Sequence, residues 1–241
     1  MPDNLHQNQK QMQPLQAALY RNKLYFAACI STLLIATWFM IVNSTQAAFI
    51  SLNSYHSFYL NVFFINYTFI GDGIFACCLV AAMFIYFKKK ETSLALLISF
   101  LISGLAVQLI KNIVHAPRPR LYFEAGTYIN YIDGVTLSNY ASFPSGHTAT
   151  AFAIASVLVL MSSNKIWQLA IFFAALLVGY SRIYLAQHFL LDIIIGMLLG
   201  TVAGIISFYL LRSNISLKRS FKKIQPFRSG QVSSPPVIQT V

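Results

Sequence analysis

A chain of 241 residues that is 57% hydrophobic and only 10% charged is not a soluble domain, which would carry about a quarter charged residues. Its 17 Lys and Arg against 6 Asp and Glu give a formal net charge of +11, but they sit in short clusters between apolar runs and in the tail. That distribution marks loops beside a membrane and argues against a nucleic-acid footprint.

Residues 1–23 open the chain as a polar, Gln-rich segment with no small-residue cleavage site ahead of an apolar core, and read as a cytoplasmic lead-in without a signal peptide. Apolar runs follow over 24–43, 69–87, 93–111, 148–163, 166–182 and 189–211, each near the ~20 residues that cross a bilayer. The predicted fold is therefore all-α, a polytopic membrane protein with six transmembrane helices in a single bundle over 24–211 and both termini on one side. Between the first two runs, residues 44–68 include Asn53, His56, Asn61, Phe63, Phe64 and Asn66 and suit a segment lying along the interface. Gly71-Asp72-Gly73 opens the second run, where Asp72 reads as a helix cap, since an acid in mid-membrane is costly. Cys29, Cys77 and Cys78 lie inside apolar runs and suit small membrane-buried side chains better than disulfides or metal ligands. Residues 212–241 form a basic cytoplasmic tail, predicted to be mobile over anionic headgroups.

With the N-terminus inside, all but four of the 17 basic residues fall on the cytoplasmic side. The exceptions are Lys111, Arg118, Arg120 and Arg182, cations that the positive-inside bias does not explain. The same outer face receives Lys111 to Pro119 at the end of the third run and Pro144-Ser145-Gly146-His147 at the start of the fourth. Ser181-Arg182 at the end of the fifth run and His188 with Asp192 at the start of the sixth complete it.

Converging cations outside a membrane imply an anion. Two arginines favour phosphate, because a guanidinium fork matches its oxygens and stays charged when desolvated, while Lys111 adds a point charge. Ser145 and Gly146 at a helix N-terminus offer backbone N–H groups and the positive end of a dipole, and Gly146 has no side chain to block approach. His188 and Asp192 are four apart, so on a helix they share one face; the carboxylate can hold one ring proton and leave the other nitrogen free as a nucleophile. His147 suits a general acid for a departing alkoxide. The set contains no cluster of acids or thiols for a metal, and no cofactor is expected.

The pieces Lys111-x6-Arg118-Pro119, Pro144-Ser145-Gly146-His147 and Ser181-Arg182-x5-His188-x3-Asp192 resemble the three-part signature of the type-2 phosphatidic acid phosphatase superfamily, with every signature position filled. The resemblance implies a metal-independent lipid phosphate phosphatase in which His188 forms a phosphohistidine, Asp192 orients it and His147 protonates the leaving oxygen. It implies that Lys111, Arg118, Ser145, Gly146 and Arg182 bind the phosphoryl oxygens. The expected partners are the bilayer and a membrane lipid phosphate, with no nucleic acid. The expected setting is a bacterial inner membrane with the site on the periplasmic or outer face. Undecaprenyl pyrophosphate, phosphatidylglycerophosphate, phosphatidic acid and lipid A all fit this signature, and nothing in it separates monoester from diphosphate or fixes an oligomeric state.

Two other classes stand beside the phosphatase. A lipid-phosphate binding or transport protein needs only the cations, so the His188, Asp192 and His147 set argues against it. A haloperoxidase can hold vanadate in such a site, but six spans disfavour it. The loop over 120–141, with Arg120, Glu124 and Asp133, reads as a lid or rim at headgroup depth or as a plain solvated loop.

Overall fold

The computed structural model describes residues 14–123, 130–132, 135, 138–162 and 164–223. Residues 1–13, Glu124, Asp133 and the tail beyond Lys223, including Arg228, lie outside them. The described residues are helical, with no strand among them: α1 (Pro14–Arg21), α2 (Lys23–Val42), α3 (Thr45–Leu52), α4 (Phe58–Tyr67), a 3-10 turn (Thr68–Gly71), α5 (Gly73–Ile85), α6 (Lys90–Val114), α7 (Pro119–Tyr122), α8 (Gly146–Met161), α9 (Lys165–Tyr184) and α10 (Leu190–Lys223).

Helix starts follow the short polar side chains of the sequence. Ser44, Ser57, Asp72, Ser145 and Asn164 each accept a first-turn backbone N–H, satisfying one of the donors that a helix leaves open at its N-terminus. The sixth run, expected over 189–211, is matched by Leu190–Arg212, and its helix continues to Lys223, because Ser213 onward loses hydrophobicity without gaining a helix breaker.

Four stretches are long and apolar enough to cross a membrane: Lys23–Val42, Lys90–Tyr122, Lys165–Tyr184 and Leu190–Arg212. A fifth crossing is formed if Phe58–Gly71 and Gly73–Ile85, bent by 59°, act as one. The run expected over 69–87 begins in the turn at Thr68–Gly71 and continues as α5, capped by Asp72, while α4 lies in the segment expected along the interface. Helix α8 has 16 residues, about 24 Å at 1.5 Å per residue, short of a hydrocarbon core of about 30 Å. Outward-facing surfaces are apolar: in α2, Leu34, Trp38 and Ile41 are 67%, 67% and 72% exposed. So much aliphatic and aromatic surface facing outward needs lipid as its solvent. The chain is an integral membrane protein.

Helix α8 is the centre. Twelve of its 16 residues are buried, and it packs against α6, α9 and α10. Its pairing with α10 is set by glycine. A Cβ at Gly196 would lie 2.6 Å from the Ser145 carbonyl oxygen, one at Gly200 2.2 Å from that of Ala149, and one at Gly204 2.5 Å from Ser156 Cβ. These glycines recur every fourth residue, on one face of α10, and let the two backbones meet as small residues do in membrane helix pairs. Buried hydroxyls fasten other pairs: Ser207 donates to the Ala95 carbonyl at 2.6 Å, Ser93 donates to that of Val80 at 2.8 Å, and Tyr25 bonds Ser156 at 2.9 Å. Cys29 is buried, whereas Cys77 and Cys78 face outward, all three as free thiols.

Candidate active site

The tight α8–α10 contact brings the second and third sequence pieces together. Asp192, in the first turn of α10, accepts at Oδ2 from His188 Nδ1 at 3.2 Å, from the Phe189 amide at 3.0 Å and from the Ser142 hydroxyl. An ionised carboxylate only accepts, so the ring proton belongs on Nδ1 and the Nε2 lone pair is left for chemistry. Burial pushes the His188 imidazole down to about 4; Asp192 opposes this, and the charges of Arg182 and Arg118 reinforce it. The ring is therefore neutral at physiological pH, as a nitrogen nucleophile requires.

Two non-glycine residues with positive φ flank these groups. Ala141, at φ 59°, directly precedes Ser142, and Ala186, at φ 52°, precedes Gln187 and His188. The left-handed region is strained for alanine, and strain of this kind persists where surrounding bonds over-determine the backbone. Here the bonds are visible: the Gln187 and His188 amides donate to the Arg182 carbonyl at 2.9 and 3.2 Å, and the Ser142 amide donates to the Ala116 carbonyl at 3.1 Å.

The cations arrive from three elements. Lys111 lies in the last turn of α6, and His115 closes that helix in the left-handed region at φ 47°, turning the chain so that Arg118 comes back to the site. Arg118 donates from Nη1 to Gln187 Oε1 at 2.6 Å and from Nε to the Tyr140 carbonyl at 3.1 Å. Arg182, at the end of α9, is 7% exposed and donates from Nη1 to Thr68 Oγ1 at 2.7 Å, while its buried Nε has no partner. An unpartnered buried guanidinium N–H is costly unless something accepts from it. Lys111, Arg118 and Arg182 all lie near enough for their charges to act on His147.

The Ser145 amide donates to the Asp192 carbonyl at 3.0 Å and its hydroxyl oxygen accepts from Thr148 Oγ1 at 2.9 Å, which fixes the turn and leaves the hydroxyl proton to donate. The first-turn N–H groups of α8 left without an intrahelical acceptor are those of Gly146 and His147. A Cβ at Gly146 would meet only Val107, at 3.8 Å. His147 itself is half-buried, its side chain 27% exposed, with Nε2 3.8 Å from Asp72 Oδ2. Burial is thus graded: His188, Asp192, Arg182 and Ser145 are buried, and Lys111, Arg118, Gly146 and His147 are half-buried.

Four residues join the group that sequence reasoning did not place there: Ser142, Gln187, Thr68 and Asp72. Ser142 and Gln187 carried a signal, being polar residues inside or beside the motif pieces. Thr68 carried none. Replacing Gln187 by alanine is expected to leave Arg118 with its bond to the Tyr140 carbonyl but without the one to Gln187, and to raise KM for a phosphate substrate about three- to tenfold with a smaller change in kcat, as steady-state kinetics would show. Among the described residues no group of three or more His, Cys, Asp or Glu is placed to hold a metal ion.

A family model described as the PAP2 superfamily matches residues 92–216. The chain is 33% identical over 129 residues to an undecaprenyl-diphosphatase of Sulfolobus acidocaldarius, covering 53% of this chain and 60% of that protein. It is 32% identical over 132 residues to a lipid A 4'-phosphatase of Porphyromonas gingivalis, covering 52% and 56%. The matched stretch thus spans less than two thirds of these curated relatives. The crystal structure of Aquifex aeolicus LpxE superposes with a TM-score of 0.60 at 33% identity, covering 67% of this chain and 92% of that one. A family match that takes in more than half of the chain, and every residue from Lys111 to Asp192, shows that the chain belongs to the PAP2 superfamily.

Proposed function

We propose that this protein is an integral membrane phosphatase that hydrolyses a lipid phosphate or diphosphate through a phosphohistidine on His188. The observation that carries the reading is the buried His188 imidazole, held at Nδ1 by Asp192, within a group that also contains Lys111, Arg118 and Arg182. Binding alone needs the cations; it does not need an oriented nucleophile.

In this reading Lys111, Arg118 and Arg182, with Ser145 and Gly146 at the α8 N-terminus, grip the phosphoryl oxygens. The unpartnered Arg182 Nε is one donor waiting for them. His188 Nε2 attacks phosphorus, the P–N bond forms as the P–O bond to the lipid breaks, and the proton from His147 goes to the departing oxygen. Water then attacks phosphorus, giving its proton to His147 as the P–N bond breaks and inorganic phosphate leaves. Cations positioned on the phosphoryl oxygens supply most of the acceleration, because the charge they stabilise grows on the way to the transition state.

The topology proposed is six spans with both termini cytoplasmic, the bent pair counting as the second and α8 as the fourth. Being short and wrapped by protein, α8 need not cross the whole hydrocarbon core, and in this topology its start, with Gly146 and His147, faces the outer headgroup layer where lipid phosphates lie. The charge bias of the loops supports a site facing outward, and the short cytoplasmic loops and single domain favour a bacterial inner membrane. Residues 24–211 would form the working unit, with the polar start and basic tail outside it. The similar proteins named as an undecaprenyl-diphosphatase and a lipid A 4'-phosphatase favour a lipid with a large or long-chain anchor, either monoester or diphosphate.

Purified protein in detergent with a chelator present is expected to release inorganic phosphate from at least one of phosphatidic acid, phosphatidylglycerophosphate, undecaprenyl diphosphate and lipid A. Release from none of the four, or release that requires added metal, would overturn the reading.

A further inference from the structure

The turn between α4 and α5 lies outside residues 92–216, the stretch matched by the family, yet it enters the site at two points. Thr68 Oγ1 receives the Arg182 guanidinium at 2.7 Å. Five residues on from Thr68's own neighbour Tyr67, Asp72 places Oδ2 3.8 Å from His147 Nε2, with the two side chains 36% and 27% exposed. Gly71 makes this approach possible. A Cβ there would lie 2.6 Å from Val178 Cγ1, 2.7 Å from the His147 carbonyl oxygen and 2.9 Å from His147 Cβ, so only a bare backbone fits against the first turn of α8. The 59° bend between the two halves of this segment delivers the turn to that spot.

Charge gives the contact a meaning. The charged or titratable groups around His147 are Lys111 from α6, Arg118 from the chain after it, Arg182 from α9 and His188 from the chain before α10. Asp192, the other carboxylate of the group, already accepts from His188, Ser142 and the Phe189 amide. Asp72 uses Oδ1 to cap α5 through the Ile74 amide at 2.8 Å, which leaves Oδ2 toward His147, and its charge is also felt by Arg182. At 3.8 Å the contact is an ion pair when the imidazole is protonated, and is too long for a hydrogen bond.

We infer that Asp72 is the positioning residue for His147, holding the imidazole in place and offsetting the positive charge it carries before it gives its proton to the leaving oxygen. This rests on reading the site as a phosphatase. Orienting a histidine by a carboxylate would then occur twice in the site: Asp192 behind the nucleophile and Asp72 beside the acid.

The test separates proton delivery from phosphate binding by the leaving group. Dioctanoyl phosphatidic acid expels an alkoxide that must be protonated, whereas p-nitrophenyl phosphate expels a stable anion. Asp72→Asn keeps the α5 cap, since an asparagine oxygen accepts the same amide. In the full-length protein its kcat on phosphatidic acid is expected to fall about 30- to 100-fold. The ratio of the two kcat values should shift at least about tenfold against phosphatidic acid, in the same direction as with His147→Ala. Asp72→Ser, which also caps, serves as the second variant, and a wild-type melting temperature in detergent shows that either one is folded. An equal fall on both substrates, no fall on either, or a rise in KM alone would overturn the inference, the last by assigning Asp72 to the phosphate grip of Arg182. A wild type inert on both substrates would instead overturn the phosphatase reading, and this inference with it.

Discussion

Substituting His188 by alanine is expected to lower phosphate release from a lipid phosphate by about 10⁴-fold or more, leaving a protein that still melts cooperatively in detergent. The size of the effect follows from what the side chain does. Among the described residues no other imidazole has Nδ1 held by a carboxylate in such a loop, so none can replace it. Asp192→Asn should cost less, about 10²- to 10⁴-fold, because an amide can present its NH₂ to Nδ1 and favour the wrong tautomer while Nε2 remains near phosphorus. The same change disturbs the bonds from Ser142 and Phe189, so Asp192→Asn should also lower the melting temperature where His188→Ala does so less. Kinetics and melting on the two variants, each compared with wild type, check both orders. Near-wild-type turnover in His188→Ala would remove the nucleophile from the account.

The second large effect is expected far from any motif. Gly200→Leu should abolish activity and destabilise the fold by more than about 3 kcal/mol, the upper end of ordinary overpacking. A Cβ at this position meets the Ala149 carbonyl oxygen at 2.2 Å and the Ala153 amide nitrogen at 2.9 Å, both backbone atoms of the central helix that no rotamer change can move. Relief comes only by separating α8 from α10. That separation draws Asp192 and His188 away from Ser145, Gly146 and His147, and breaks the bond from the Ser145 amide to the Asp192 carbonyl. Gly104→Ala is the matched control. A Cβ at Gly104 meets nothing within 4 Å, and alanine is the better helix former, so it should be neutral or stabilising by up to about 1 kcal/mol. Thermal melting of both variants, with phosphate release measured on the same preparations, tests the claim.

The three sequence pieces were legible because chemistry constrains residue type and spacing within each, and because the charge bias of the loops isolates Lys111, Arg118 and Arg182. Hydrophobic runs likewise marked every long helix, since burial in lipid leaves a compositional trace. What remained hidden depends on backbone meeting backbone. The approach of Gly196, Gly200 and Gly204 to α8 is written in a four-residue spacing that hydropathy does not weigh. The bend at Thr68–Asp72 reads in sequence as a helix start, which it is, and Asp72 does cap α5. Its nearness to His147 depends on Gly71 allowing contact with an element some 75 residues later, a long-range relation that local pattern does not record. Ser145 shows the converse: its motif position is plain in sequence, but the bond from its amide to the Asp192 carbonyl belongs to the folded pairing of α8 with α10.

The central claim is a covalent phosphohistidine on His188, and rapid quenching with a ³²P-labelled lipid phosphate followed by peptide mapping tests it most directly. The account predicts transient, acid-labile and alkali-stable label on the peptide carrying His188, absent from His188→Ala. Label on another residue, or a pre-steady-state burst of lipid alcohol in wild type with no labelled protein, would contradict it.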